Sequence, residues 1–321
     1  MSQVNLPDKP ERPLPSDCCN SGCTPCILDV YEDLVKQWEE KCELIKAGVS
    51  VSEEGSLDHP PILSQTRYAI FKLVFLKPVT DDTFLYSFQA VEKIVSDSNT
   101  MYKDLKLKLD FKPSQYFVLQ GSDGEKHFTR AYTPISDNKL ALKGCFDVVI
   151  KYYPDGKMSK YLKKLLLGDI THWRGPYNGF NYKPNNYRNL LMLCAGTGVA
   201  PMYSLTQSIV SNEDDETIIK MLYCCKDDKS IILRNEIHKL CSFWNFSADI
   251  YVPHSNPSEC KPLYGETLKT VRLDQNEISN ELLQKDLSKT MIFICGNAKF
   301  CQDINEYVRK CSVDTEHIHI F

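Results

Sequence analysis

No stretch of this chain comes near the roughly 18–20 uninterrupted apolar residues that a bilayer-spanning helix needs. Residues 1–17 are polar and carry four prolines. They hold neither an apolar signal core nor an arginine-rich amphipathic pattern, so no export or organelle address is read there. Charge of one sign is scarce too: 38 Lys and Arg against 42 Asp and Glu leave −4 over 321 residues. That balance gives no footprint for nucleic acid or an anionic membrane surface. Internal repeats and long low-complexity tracts are missing, as is the GxGxxG fingerprint of the commonest dinucleotide turn. These absences predict a cytoplasmic protein with no intrinsic membrane anchor and no nucleic-acid partner, reaching a membrane only through another protein.

Cysteine, by contrast, is plentiful at 14 residues. Cys145, Cys194, Cys224, Cys225 and Cys241 sit in apolar stretches, where a free thiol behaves as a small buried hydrophobe. A chain of this length needs no disulfide staples, so a reducing compartment is the simpler reading. Cys18, Cys19, Cys23 and Cys26 differ, with four thiols in nine residues and a C-x-x-C at 23–26. They are open to three readings: a zinc or iron–sulfur site, a redox dithiol, or thiols packed around the start of the next helix. Adjacent Cys18 and Cys19 would strain tetrahedral ligation, and no metal residue is assigned.

Three segments emerge along the chain. Residues 1–60 form a Cys-rich appendage and linker holding one amphipathic helix over 27–41, whose apolar residues Ile27, Val30, Tyr31, Leu34, Val35 and Trp38 fall on one stripe. It is expected to pack on the main body or on another protein. Residues 66–182 read as short strands over 68–76, 83–90, 115–120, 128–133 and 146–153, separated by turn residues. With a single helix over 158–168, that pattern predicts an antiparallel β-barrel. The stretches 168–170 and 173–179 read as turns, with His172 and Trp173 as packing residues. Residues 186–321 alternate apolar strands with helices: strands at 190–194, 218–224, 248–252, 291–295 and 317–321, helices at 200–210, 233–241 and 298–310. That alternation predicts an α/β domain with a doubly wound parallel sheet.

Four motifs carry chemistry. In Arg130-Ala131-Tyr132-Thr133-Pro134-Ile135-Ser136, strand alternation puts Arg130 and Tyr132 on one face. A guanidinium there can hold phosphate and a phenol can lie on a flat heterocycle; a surface Arg beside a core Tyr explains the pattern about equally well. Gly156-Lys157-Met158-Ser159 opens a helix, whose free amides suit an anion, although Ser159 could simply cap it. Ala195-Gly196-Thr197-Gly198-Val199-Ala200-Pro201 runs from a buried strand through a Gly-rich turn into a helix, either a dinucleotide turn or a plain strand-to-helix turn. Cys295-Gly296 sits at the carboxyl end of an apolar strand, where it could border a nicotinamide or merely pack. The terminal Phe321 either shields a flavin or finishes an edge strand.

In this order, over residues 66–321, the four motifs resemble the ferredoxin-reductase superfamily, specifically its NADH–cytochrome b5 reductase branch. Residues 13–31 are similar to a short oxidoreductase-like N-terminal module. The resemblance implies FAD contacts at Arg130, Tyr132, Thr133, Pro134, Ile135, Ser136, Val149, Lys151, Lys157, Met158 and Ser159. It implies dinucleotide contacts at Gly196, Thr197, Gly198, Cys295 and Gly296, with Thr133 and Cys295 nearest the chemistry. The implied reaction passes a hydride from NADH (or NADPH) to the flavin, then single electrons to cytochrome b5, a similar haem protein, a quinone or a dye. Ala131, Pro154 and Ala200 depart from the branch's pattern, and no acid stands at 251–254, where NADH-selective members carry one. Two other functions stay open: a non-catalytic binding module on the same fold, and a dithiol or metal carrier acting through the N-terminal cysteines.

Overall fold

A computed structural model describes residues 9–10, 12–13, 27–46, 61–96, 99–136, 138–283 and 285–321. The Cys18, Cys19, Cys23 and Cys26 cluster lies outside these. Helix α1 (Ile27–Lys46) runs five residues beyond its expected end. Its Leu34 packs on Val118, Tyr177 and Tyr116, on the outer surface of the first sheet. Leu34, one residue of the expected apolar stripe, thus meets the main body.

That sheet is built from β1 (Ala69–Pro78), β2 (Thr83–Ser96), β3 (Asn99–Asp104), β4 (Tyr116–Ser122), β5 (His127–Tyr132), β6 (Cys145–Lys151) and β7 (Ile170–Tyr177). Helices α2 (Asn138–Ala141) and α3 (Lys157–Leu162) are inserted between strands. The order is β3-β2-β1-β7-β4-β5, with β6 also paired to β2, and every pairing is antiparallel. A backbone bond from the Ile135 amide to the Asp147 carbonyl (2.9 Å) joins the end of β5 to β6 and closes the ring. Alternation turns Phe71, Leu73, Tyr86, Phe88, Phe117, Leu119, Phe146 and Val148 inward to full burial. Each such side chain contributes roughly 1.5–3 kcal/mol relative to exposure.

Trp173 is the centre of that core, fully buried and edge-on to Phe88 and Phe146, each at 4.9 Å. Its indole donates to Thr171 Oγ1 (3.0 Å), which donates to the Phe71 carbonyl (3.0 Å). The expected turns hold at Gly168 and at Asn178 and Gly179, all at positive φ, but the expectation of a turn over 173–177 is corrected: β7 is an interior strand, paired with β1 on one side and β4 on the other. The expected helix over 158–168 is shorter, because the chain leaves α3 at Leu162 to reach β7.

The second sheet uses β8 (Asn189–Ala195), β9 (Ile218–Cys224), β10 (Phe246–Tyr251), β11 (Thr267–Lys269), β12 (Thr290–Cys295) and β13 (Ile318–Ile320), in the order β11-β10-β9-β8-β12-β13. All pairs are parallel. Along β8 the side chains alternate between two cores. Leu190, Met192 and Cys194 face α4 (Val199–Val210) and α5 (Arg234–Leu240). Leu191 and Leu193 face α6 (Gln275–Leu282) and α7 (Ala298–Lys310). Burial on both faces explains the near-continuous apolar runs. From β8 the chain steps outward to β11, then returns to β12 on the other side of β8, leaving a topological switch point between β8 and β12. The barrel meets this sheet through Ile135 and Val149, which are buried in one cluster with Cys194, Val199 and Ala200. Among the described residues, no helix is long and apolar enough to cross a membrane.

Candidate functional site

The barrel brings its two motifs together. Arg130 and Tyr132 are both half-buried on β5 while the intervening Ala131 is exposed, as alternation requires. Tyr132 sits edge-on to Trp173 at 6.1 Å, and burial pushes its phenol well above the ordinary phenol range. Arg130 donates from Nη1 to the Thr129 carbonyl (2.8 Å) and forms no ion pair among the described residues. Its remaining donors suit an anion.

Tyr153, just after β6, is tied to the start of α3. The Gly156 amide donates to the Tyr153 carbonyl (3.1 Å), and Ser159 Oγ accepts from the Tyr153 amide (2.9 Å). The Ser159 hydroxyl thus braces the turn before α3, and Gly156 is the N-cap without a side-chain cap. Met158 is buried in the barrel core, so its backbone, not its side chain, faces outward. Lys157 lies 3.7 Å from Asp123 and Lys151 lies 2.9 Å from Asp82. Asp82 also accepts from Thr80 and Thr83. Burial alone would raise its carboxyl, but Lys151 and the two hydroxyls outweigh that and hold it below the ordinary value. Ser136 Oγ accepts from the Asp147 amide at 2.6 Å, so the end of the first motif is stitched to β6.

On the sheet side, Gly196–Gly198 forms a single 3-10 turn between β8 and α4. Gly196 has φ +54°, where an L side chain is strained, and a Cβ there would meet nothing within 4 Å. Gly198 is the reverse: a Cβ would come within 2.3 Å of the Cys295 carbonyl oxygen. The two motifs, 97 positions apart, therefore touch backbone to backbone, because β8 and β12 are neighbours in register Cys194↔Cys295. The Tyr223 hydroxyl donates to the Gly196 carbonyl (3.2 Å) and steadies the turn. Burial pushes the Cys295 thiol up to about 12, so it stays protonated near neutral pH and is no nucleophile. Phe321 donates its amide to the Ile294 carbonyl (3.0 Å) and stacks on Phe293 at 5.8 Å, completing the edge strand.

Between the sheets lies a cleft of about 550 Å³. Thr80, Asp81, Asp82, Thr83 and Lys151 form its barrel wall. Ala195, Gly196, Cys224, Cys225, Asn297 and Phe300 line it from the carboxyl ends of β8, β9 and β12, and β6 lies against the Gly196–Gly198 turn. The cleft also takes in Lys226, Lys229, Pro253, His254 and Arg272, none of which the sequence motifs point to. Their signal is position: they follow β9, β10 and β11 at the strand ends where ligands of open α/β sheets bind. The space over Gly196, its left-handed backbone and the uncommitted Arg130 donors all fit a dinucleotide and a flavin phosphate.

Comparison with known proteins agrees with this geometry. Residues 84–182 match the family described as "Oxidoreductase FAD-binding domain", residues 192–306 match "Oxidoreductase NAD-binding domain", and residues 1–47 match "Oxidoreductase-like protein, N-terminal". The chain is 35% identical over 297 residues to the human protein "NADH-cytochrome b5 reductase-like", covering 92% of this chain and 89% of that one. It is 33% identical over 325 residues to the Mus musculus protein of the same name, covering 100% and 97%. The cytochrome b5 reductase domain of Ulva prolifera nitrate reductase shares the fold at TM-score 0.68 and 21% identity, over 82% of this chain and 100% of that one. A Neisseria gonorrhoeae ferredoxin NADP+ reductase with bound FAD and NADP does so at 0.62 and 19%, over 79% and 98%. The chain thus belongs to the NADH-cytochrome b5 reductase-like family of oxidoreductases, with an FAD-binding barrel and an NAD-binding parallel sheet.

Proposed function

We propose that this protein takes a hydride from a reduced nicotinamide dinucleotide onto FAD and passes the electrons singly to a haem protein such as cytochrome b5, or to a quinone or dye. The observation that carries this reading is the meeting of Gly198 with Cys295 beneath a cleft whose opposite wall is the barrel. Arg130, Lys157 and the amides of Met158 and Ser159 would neutralise and hold the FAD pyrophosphate. Tyr132, Thr133, Pro134, Ile135, Ser136 and Val149 would border the flavin, with Lys151 held in place by Asp82. Gly196, Thr197 and Gly198 would let the dinucleotide pyrophosphate approach the end of β8, and Cys295 with Gly296 would flank the nicotinamide. Bound FAD would supply the conversion of two-electron into one-electron transfer. The protein's part is to align the two rings and keep water out, and no side chain is needed as a general base.

The test is steady-state turnover of FAD-loaded protein with NADH or NADPH and three acceptors offered separately: cytochrome b5, a soluble quinone and ferricyanide. Haem reduction that depends on both FAD and dinucleotide supports the proposal. Protein that refuses FAD refutes it, and activity with ferricyanide alone removes the haem acceptor.

A further inference from the structure

Strand β2 outruns the barrel. Its pairing with β6 ends at Gln89 and with β1 at Ala90; from Val91 to Ser96 its partner among the described residues is β3 alone. The two make a ribbon in which Glu92–Ser96 and all of β3 are exposed. Yet the ribbon is not polar. Val95 is 70% exposed and Met101 61%, with Ile94 and Tyr102 also open to solvent. A two-stranded ribbon wet on both faces is marginal by itself.

β3 is also an edge of its sheet, so every second residue directs an N–H and a C=O away from β2. The devices that usually blunt an edge are missing from most of it. β3 carries no proline, and its register with β2 runs from Asn99 to Asp104 without a bulge. Its two charges, Lys103 and Asp104, sit together at the barrel end, where Lys72 of β1 holds Asp104 at 2.5 Å. Asn99, Thr100, Met101 and Tyr102 are uncharged.

The same residues say which strand fits. Side chains opposed across an antiparallel pair share a face. A second copy related by a two-fold axis perpendicular to the sheet therefore opposes residues of one face, and the axis passes through a residue. Through Met101, it sets Met101 against Met101 of the second copy, Thr100 against Tyr102 and Asn99 against Lys103. Because β2 already pairs Ile94 with Met101 and Val95 with Thr100, one face gains the apolar row Ile94–Met101–Met101–Ile94. The other gains Val95–Thr100–Tyr102, and no like charges meet. An axis through Lys103 would oppose two lysines, and one through Tyr102 would set Met101 against Lys103. We propose that β3 pairs with β3 of a second copy about Met101, joining two barrels into one continuous antiparallel sheet. The cleft stays open in this dimer, because its wall residue Thr83 lies at the other end of β2, roughly 35 Å of strand from Ile94. Such a short pairing makes a small interface, so the dimer is weak, with a dissociation constant on the order of micromolar.

The test is sedimentation velocity of the full chain across the micromolar range, with hydrogen–deuterium exchange read by mass spectrometry at both ends of that range. A concentration-dependent dimer is expected, with the amides of Asn99–Lys103 exchanging more slowly in it. Met101→Lys opposes two ammonium groups and breaks the apolar row, so it should raise the dissociation constant about tenfold or more. Met101→Leu should leave it near the parental value. Position 101 is exposed in the single chain, so both variants should keep the parental circular dichroism. A chain that stays monomeric throughout overturns the proposal, whatever else covers the edge. So does a dimer that survives Met101→Lys, or one that leaves Asn99–Lys103 unprotected, because it forms through another face.

Discussion

Gly198→Ala probes the contact on which the site is built. The Gly198 backbone has φ −61° and ψ −8°, a helical conformation open to any L-residue, so the substitution is free of backbone strain. Its cost is space. An added Cβ lies 2.3 Å from the Cys295 carbonyl oxygen, 2.6 Å from its carbonyl carbon and 3.0 Å from the Gly296 nitrogen. Carbon and oxygen rest at about 3.3–3.6 Å even in close contact, so the turn and the end of β12 must separate by about 1 Å. Neither side yields cheaply, because both are backbone and β12 is laddered to β8. Overpacking costs about 1–3 kcal/mol, and a clash with backbone belongs in the upper half of that range. Gly196→Ala is the control: its φ of +54° costs roughly 1–2 kcal/mol for a left-handed L-residue, but nothing lies within 4 Å of the new Cβ. Thermal and guanidinium unfolding followed by circular dichroism would measure the stabilities, and nucleotide titration the affinities. Gly198→Ala should lose about 2–3 kcal/mol and spread the turn from Cys295, weakening the dinucleotide. Gly196→Ala should lose less stability yet also weaken the dinucleotide, since its methyl enters the open cleft. A Gly198→Ala protein with parental stability and affinity would refute the juxtaposition.

Other expectations follow from single residues. Arg130→Ala should lower FAD affinity by the roughly 1.5–3 kcal/mol of a charge-assisted contact while leaving the melting temperature of the apoprotein nearly unchanged; unaltered FAD titration would remove Arg130 from the phosphate site. Trp173→Ala, at the fully buried centre of the barrel, should cost about 3–5 kcal/mol; a loss below 1 kcal/mol in denaturant unfolding would contradict the packing. Burial raises the Cys224, Cys225 and Cys295 thiols from 9.0 to about 12. With folded values above unfolded ones, their contribution to stability is complete below about pH 9 and is lost as pH climbs toward 12. At pH 8 iodoacetamide should leave these three cysteines unmodified in the folded chain, and mass spectrometry of labelled peptides reads the outcome directly; rapid Cys295 alkylation would show an ionised, accessible thiol.

Much of the architecture is legible in the residues. The alternation of apolar runs with amphipathic stretches after residue 186 marks the parallel sheet, since strands buried on both faces cannot alternate with polar residues. Short strands with turn punctuation likewise mark the barrel. β7 escapes because Gly175, Pro176, Asn178 and Gly179 are turn formers by local preference, while its strand character comes from β1 and β4 on either side. β3 escapes for another reason: every residue in it is exposed, so no hydrophobic period exists to read. α6 carries a local signal of its own, with Asp274 capping the Glu277 amide at 3.0 Å just before the apolar Ile278 and Leu282.

The site divides in the same way. Each motif is visible as a turn or strand end, and placing Gly198 at the carboxyl end of one strand and Cys295 at that of another follows from pattern alone. That these strands are neighbours, and that Val149 and Ile135 carry the barrel onto them, depends on sheet order, which no local signal encodes. The cations at Lys226, Lys229, His254 and Arg272 are scattered over 47 positions and converge only because β9, β10 and β11 end side by side.

That two nucleotide cofactors meet in the cleft between barrel and parallel sheet is tested most directly by mixing FAD-loaded protein with NADH or NADPH in the absence of oxygen. The visible flavin absorption should bleach within a single turnover, and Gly198→Ala should slow the bleaching while retaining FAD. Flavin that stays bound and fully coloured in excess reduced dinucleotide would contradict the arrangement.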